Sequence, residues 1–200
     1  ARTPEEYQRF NIPGSRSLPG GELALRITDI AEKLAPDDVI VVNCAGRTRS
    51  IIGARVLQRM GFTNVSALTN GTAGWMLAGY EVERDAARLI MPDPSPKGTA
   101  AAEAYAEVLA KEDGIQYLDV DGLQALFEAR NQRTIYFIDV RTNAEYATGH
   151  IPGFQWIPGG QAVQRSDDAV VVRGATVVFC CDGKARATVT ASWYRQLGIQ

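Results

Sequence analysis

Residues 41–57 read VVNCAGRTRSIIGARVL. The apolar run Val39-Ile40-Val41-Val42 that leads into it reads as a buried parallel strand. From Ser50 onward, Ile51, Ile52, Val56 and Met60 recur at helical spacing. Cys44 therefore falls in a strand-to-helix loop. In open α/β sheets that is the end where ligands bind.

The stretch has a twin. Residues 39–61, VIVVNCAGRTRSIIGARVLQRMG, align with 176–198, TVVFCCDGKARATVTASWYRQLG, at an offset of 137 residues. Cys44 falls on Cys181, Gly46 on Gly183, Arg47 on Lys184 and Arg49 on Arg186. A second match lies upstream of each. RTPEEYQRFNIPGSRSLPGG (2–21) and RTNAEYATGHIPGFQWIPGG (141–160) share ten of 20 positions at an offset of 139. A period this long is too great for a solenoid and indicates two copies of one domain.

The copies are cut differently. The second has a predicted strand, helix and strand before Arg141 (Ile115–Leu118, Asp119–Arg130 and Thr134–Val140), where the first has only Ala1. The first continues past Gly61 through Phe62–Glu83, where the second has only Ile199 and Gln200. The expected organisation is a first domain over 1–84 lacking its N-terminal strands, a linker plus helix over 85–114, and a second domain over 115–200 lacking its C-terminal strand. The chain reads as a window from a longer tandem array. One arrangement consistent with this lets 115–140 complete the first copy as a circular permutation would. Three prolines within Met91–Gly98 predict a semi-rigid linker, and alanine-rich Thr99–Lys111 predicts a helix packed on one of the domains. Strands alternating with helices predict an α/β fold in which each copy is a parallel sheet flanked by helices.

Composition narrows the function classes. The 200 residues are 46% hydrophobic and 22% charged, ordinary for a globular protein. A net charge of −2 gives no hint of nucleic-acid binding. No apolar run is long enough for a membrane helix, and no secretory leader is visible. Three cysteines, two of them adjacent, make no disulfide framework, and one histidine with no CxxC pair makes no metal site. Free thiols fit a reducing compartment, and the expected location is cytoplasmic.

The loop around Cys44 is built for an anion. A cysteine is a nucleophile only as thiolate. The dipole of the following helix, the loop amides and the charges of Arg47 and Arg49 all favour that form, and Gly46 is expected to ease the turn. Ala45, Gly46, Arg47, Thr48, Arg49 and Ser50 are the candidate binding residues around Cys44. A nest that holds a thiolate also suits an oxyanion substrate. His150 lies well before Cys181 in the second copy, so no general base stands out. The second loop offers Cys181 with Gly183, Lys184 and Arg186. Asp182 and the loss of two hydroxyls should leave Cys181 the weaker nucleophile. Cys180 reads as packing, His150 as a turn-stabilising residue, Asp139 with Arg141 as an ion pair, and Trp75 and Trp156 as core or pocket-mouth residues. Glu5-Glu6-Tyr7 and Glu145-Tyr146 read as first-turn helix residues with a packing tyrosine.

The motifs resemble the rhodanese family of sulfurtransferases in tandem form. The resemblance rests on FIDVRTNAEYATGHIPG (137–153), its partial twin RTPEEYQRFNIPG, the CAGRTRS loop and NGTAGWMLAGYEV (70–82). It covers nearly the whole chain apart from the linker. It implies five-stranded parallel sheets and an active-site cysteine that takes a sulfane sulfur from a donor such as thiosulfate. The persulfide then passes it to a thiophilic acceptor such as cyanide or a thiol, with no metal or organic cofactor. The expected partners are that small anionic donor and the acceptor, with self-association or strand exchange through the truncated domain ends. Nucleic acid and membrane are not expected. Two rivals stand beside this reading. A non-catalytic rhodanese-like module would bind or regulate. A Cys-dependent phosphatase related in fold needs Cys-x5-Arg, but the sixth residue after Cys44 is Ser50 and after Cys181 is Ala187.

Overall fold

The computed structural model describes residues 1–89 and 91–199. The chain separates into two compact units, Ala1–Ala102 and Glu103–Gln200.

In the first unit α1 (Pro4–Arg9), α2 (Leu23–Ala31), β1 (Ile40–Val42), α3 (Thr48–Arg59), β2 (Val65–Ala67) and α4 (Gly71–Leu77) follow in order. β1 and β2 are parallel, with Val42 opposite Ala67. Two parallel strands joined through a helix are the expected α/β unit. Leu23 and Ile27 of α2 meet Ala54 and Leu57 of α3 over Val42 and Val65. Leu57 is fully buried, and burying one such side chain contributes about 2 kcal/mol. The strand expected to be buried is covered on one face only. Ile40 and Val42 face the helices, but Val41 is 56% exposed. Side chains alternate across a strand, and α2 and α3 pack on the Ile40–Val42 face.

The proline-bearing stretch is tied to α2. Arg26 donates to the Pro92 carbonyl, and Asp29 accepts from the Ser95 amide at 2.8 Å. α5 (Pro96–Asp113) then starts earlier than the expected Thr99. Ser95 Oγ accepts from the Gly98 amide at 3.0 Å, and proline is well placed in a first helical turn because its missing N–H has no partner there anyway.

The second unit holds α6 (Val120–Ala129), β3 (Ile135–Asp139), α7 (Asn143–Thr148), β4 (Gln155–Trp156), α8 (Gly159–Gln164), α9 (Ser166–Ala169), β5 (Thr176–Cys180) and α10 (Ala185–Gln196). The strands run parallel in the order β4-β3-β5. Phe127 of α6 stacks on Phe137 of β3 at 4.4 Å between ring centroids, and Phe154 packs edge-on against Phe127 and tilted against Phe137. β3 therefore sits in the second copy's own sheet, and 115–140 does not complete the first copy. The expected strand at Ile115–Leu118 is irregular and lies outside the sheet, held in part by Tyr117 Oη within 3.2 Å of Thr188 Oγ1. Trp156 is exposed, and Trp75 is half-buried with its indole N–H on the Glu81 carbonyl. Neither is core. The sheets hold two and three strands among the described residues, fewer than the five the resemblance implies. No helix among the described residues is long and apolar enough to cross a membrane.

Candidate active site

Cys44 follows β1 directly, and the loop Ala45–Arg47 carries the chain into α3. The thiol lies under this loop, 3% exposed, while Ala45, Arg47 and Thr48 face solvent. Sγ donates to Ser50 Oγ at 3.6 Å, and that hydroxyl donates to the Arg47 carbonyl at 2.8 Å. On ionisation the hydroxyl is placed to donate to sulfur instead. Burial pushes the Cys44 pKa up, but the Ser50 hydroxyl, the Ser50 and Gly46 amides and the charge of Arg49 outweigh it, leaving the pKa below its ordinary value.

The loop is clamped from the side by the start of α4. The Cys44 carbonyl accepts from the Thr72 amide at 2.8 Å and from Thr72 Oγ1 at 3.1 Å, and the Ala45 carbonyl accepts from the Ala73 amide at 3.0 Å. Gly71 permits this approach. Its φ is +53°, and a Cβ there would lie 2.3 Å from the Cys44 carbonyl oxygen. Gly46, expected to be the glycine that the turn needs, has no positive φ and open space where a Cβ would go. The conformational demand falls on Gly71.

Arg49, expected beside Arg47 as an anion ligand, is taken up internally. Its Nη1 and Nη2 reach the two carboxylate oxygens of Glu6 at 2.5 and 2.7 Å. Glu6 also closes a capping box on α1, accepting from the Thr3 amide at 2.9 Å. The Arg49 bond holds the Glu6 pKa down at about 2. Arg49 thus acts on Cys44 through charge, and Arg47 is left exposed at the loop, with no carboxylate paired to it among the described residues.

The second loop repeats the clamp. Glu145 caps α7 with Thr142, and its two oxygens take Arg186 at 2.8 and 2.6 Å. Burial works against the charged Glu145, yet the Arg186 and Thr142 bonds bring its pKa to about 2. The thiols differ. Cys181 donates to the Gly183 carbonyl at 3.0 Å, and its pKa is raised, first by burial and in smaller part by Asp182. The repulsion expected from Asp182 is thus the lesser cause. Burial and then the neighbouring Asp139 push Cys180 up to about 12. All three cysteines are free. Lys184, expected as an anion ligand, gives its amide to Glu103 at 2.8 Å and its Nζ to Glu107. Asp139 is fully buried and pairs with Arg141 at 2.7 Å, as the sequence suggested. His150 Nδ1 lies 3.0 Å from the Tyr146 carbonyl, and Asn11 in the first copy donates to Tyr7 in the same way.

Glu6, Glu145, Thr72 and Gly71 escaped the sequence reading as site residues. The signal for the first two was present. A glutamate recurs at 6 and 145, and an arginine at 49 and 186, in matched positions of both copies.

The rhodanese-like domain model matches residues 1–78 and 119–200. The chain belongs to the rhodanese-like domain family. Among solved structures it resembles the thiosulfate sulfurtransferase from Pseudomonas aeruginosa, with a TM-score of 0.90 and 45% identity over 98% of this chain and 37% of that one. Among curated proteins it is 32% identical over 71 residues to the putative sulfur carrier protein YrkF of Bacillus subtilis (strain 168), which is 36% of each chain. The match thus covers little more than a third of the length of either relative.

Proposed function

We propose that this chain is a sulfurtransferase working through Cys44, with thiosulfate or a similar anionic compound as donor. The observation that carries the reading is the sulfur environment. Of the three thiols, only Cys44 has its pKa displaced downward, and it sits beside an exposed arginine with no carboxylate partner among the described residues. The name of the P. aeruginosa relative supports the choice of donor.

The Cys44 thiolate attacks the outer sulfur of thiosulfate. A new S–S bond forms, the old one breaks, and sulfite leaves with its electron pair. Arg47 receives the departing charge, while the Gly46 and Ser50 amides and the Ser50 hydroxyl hold the persulfide anion. A thiophilic acceptor, cyanide or a thiol, then takes the outer sulfur and returns the Cys44 thiolate. No general base is assigned, because the Ser50 hydroxyl, the Ser50 and Gly46 amides and the charge of Arg49 favour the thiolate. The phosphatase reading is disfavoured: its clamp position is Ser50, which bonds the Arg47 carbonyl, and the nearby arginine is occupied by Glu6. Thiocyanate formation from thiosulfate and cyanide tests the proposal. Wild type should turn over and Cys44→Ser should not. Undiminished turnover in the variant removes Cys44 from the mechanism, and a wild type that forms no thiocyanate leaves the binding-module reading.

A further inference from the structure

The two loops differ most in what already occupies them. In the second unit α5 lays two carboxylates against the Cys181 loop. Glu103 Oε1 accepts from the Lys184 amide at 2.8 Å, at the head of α10. Glu107 pairs with Lys184 Nζ, which also lies 5.3 Å from the centre of the Tyr117 ring. Asp182 pairs with Arg186 at 2.5 Å, on the cation already held by Glu145. Gly183 makes the close approach possible, since a Cβ on it would stand 2.6 Å from Glu103 Oε1. In the first loop the matching amide belongs to Arg47, and no side chain accepts from it among the described residues. Among the described residues the only carboxylate reaching a cation of that loop is Glu6, on Arg49.

A loop amide at a helix head, flanked by lysine and arginine, is the arrangement that receives an oxyanion. In the second loop an oxyanion is already there. We infer that Glu103 is an internal anion seated in the donor site of the Cys181 loop, so that anionic sulfur donors are admitted at Cys44 and refused at Cys181. This rests on the sulfurtransferase reading for the donor's identity, though the occupancy of the loop does not. Glu103 is a positioning residue: it forms no bond to the reacting sulfur and acts by filling the place a donor's charge would take. The arrangement gives the tandem chain one loading site, with the second loop held as a closed copy.

The test separates anion access from sulfur chemistry. In Cys44→Ser chains, Cys181 is alkylated with anionic iodoacetate and with neutral iodoacetamide, and the labelled peptide is mapped. Both reagents react with the thiolate, so their rate ratio cancels any change in thiol pKa and reads the local charge alone. Adding Glu103→Ala should raise the iodoacetate-to-iodoacetamide ratio about tenfold, the scale expected for removing one charge from the loop that holds the sulfur. Glu103→Gln keeps size and an acceptor oxygen while removing charge, so it should raise the ratio in the same direction even if the alanine variant folds poorly. Ratios unchanged in both variants would overturn the inference. So would a Cys44→Ser chain whose Cys181 takes sulfur from thiosulfate as readily as wild-type Cys44 does. Failure of Cys44 itself to take sulfur would instead refute the proposed function and leave the alkylation result standing.

Discussion

Glu6→Gln separates two roles that one carboxylate now combines. Glutamine can still close the capping box on α1, but it cannot neutralise Arg49. The Arg49 side chain is 7% exposed and that of Glu6 38%. Stranding the charge of a fully buried pair costs about 3–5 kcal/mol, and an exposed pair is worth about 0–1 kcal/mol. With one partner buried and the other partly solvated, the expected loss is about 1–3 kcal/mol at neutral pH. The pH dependence follows from the sign of the shift. The folded pKa of Glu6 is depressed from 4.5 to about 2, so its contribution is complete above pH 4.5 and disappears as pH falls toward 2. More than half of the gap between wild type and variant should be gone by about pH 3. The same substitution should lower the Cys44 pKa further, because Arg49 loses its counter-charge while remaining near the sulfur. Urea unfolding followed by hydrogen exchange in residues 40–60 reads the first effect, and the pH profile of Cys44 alkylation reads the second. Equal stability at neutral pH, a gap that persists undiminished at pH 3, or a Cys44 pKa that moves upward would refute the reasoning.

Four further outcomes are expected. Gly71→Ala should destabilise the first unit by about 2–4 kcal/mol in urea unfolding and abolish turnover, since left-handed backbone alone costs a β-carbon about 1–2 kcal/mol and the Cys44 carbonyl stands in its way. Ser50→Ala should move the Cys44 pKa upward, seen as a shift of the alkylation profile to higher pH. Arg47→Ala should raise KM for thiosulfate about tenfold with little change in stability, whereas Arg49→Met, which strands Glu6, should lower stability.

The strand–loop–helix frame of the site was legible because it is local: β1, the Cys44 loop and α3 lie within 20 consecutive residues. The tandem copies were legible because Arg-Thr, Glu-Tyr and Ile-Pro-Gly recur in order. The direction of the Cys181 pKa shift was visible in loop composition, though its main cause, burial, is a property of packing. What the sequence concealed is long-range. Glu6 reaches Arg49 across 43 residues, a pairing marked only by its recurrence in both copies, and Glu103 reaches Lys184 across 81 with no sign of it in the sequence. Apolar runs also mislead where a sheet is covered on one face only. Val39 and Val41 read as core and are exposed, and Ile115–Leu118 has strand composition but pairs with no strand among the described residues.

The central claim is that Cys44 carries the transferred sulfur. Its most direct test is the mass of the whole chain after thiosulfate treatment and removal of excess donor, with the modified peptide mapped. One added sulfur atom per chain, on Cys44 and absent from Cys44→Ser, is the expected result. A chain that gains no sulfur, or gains it on Cys181 with Cys44 unmodified, would contradict the account.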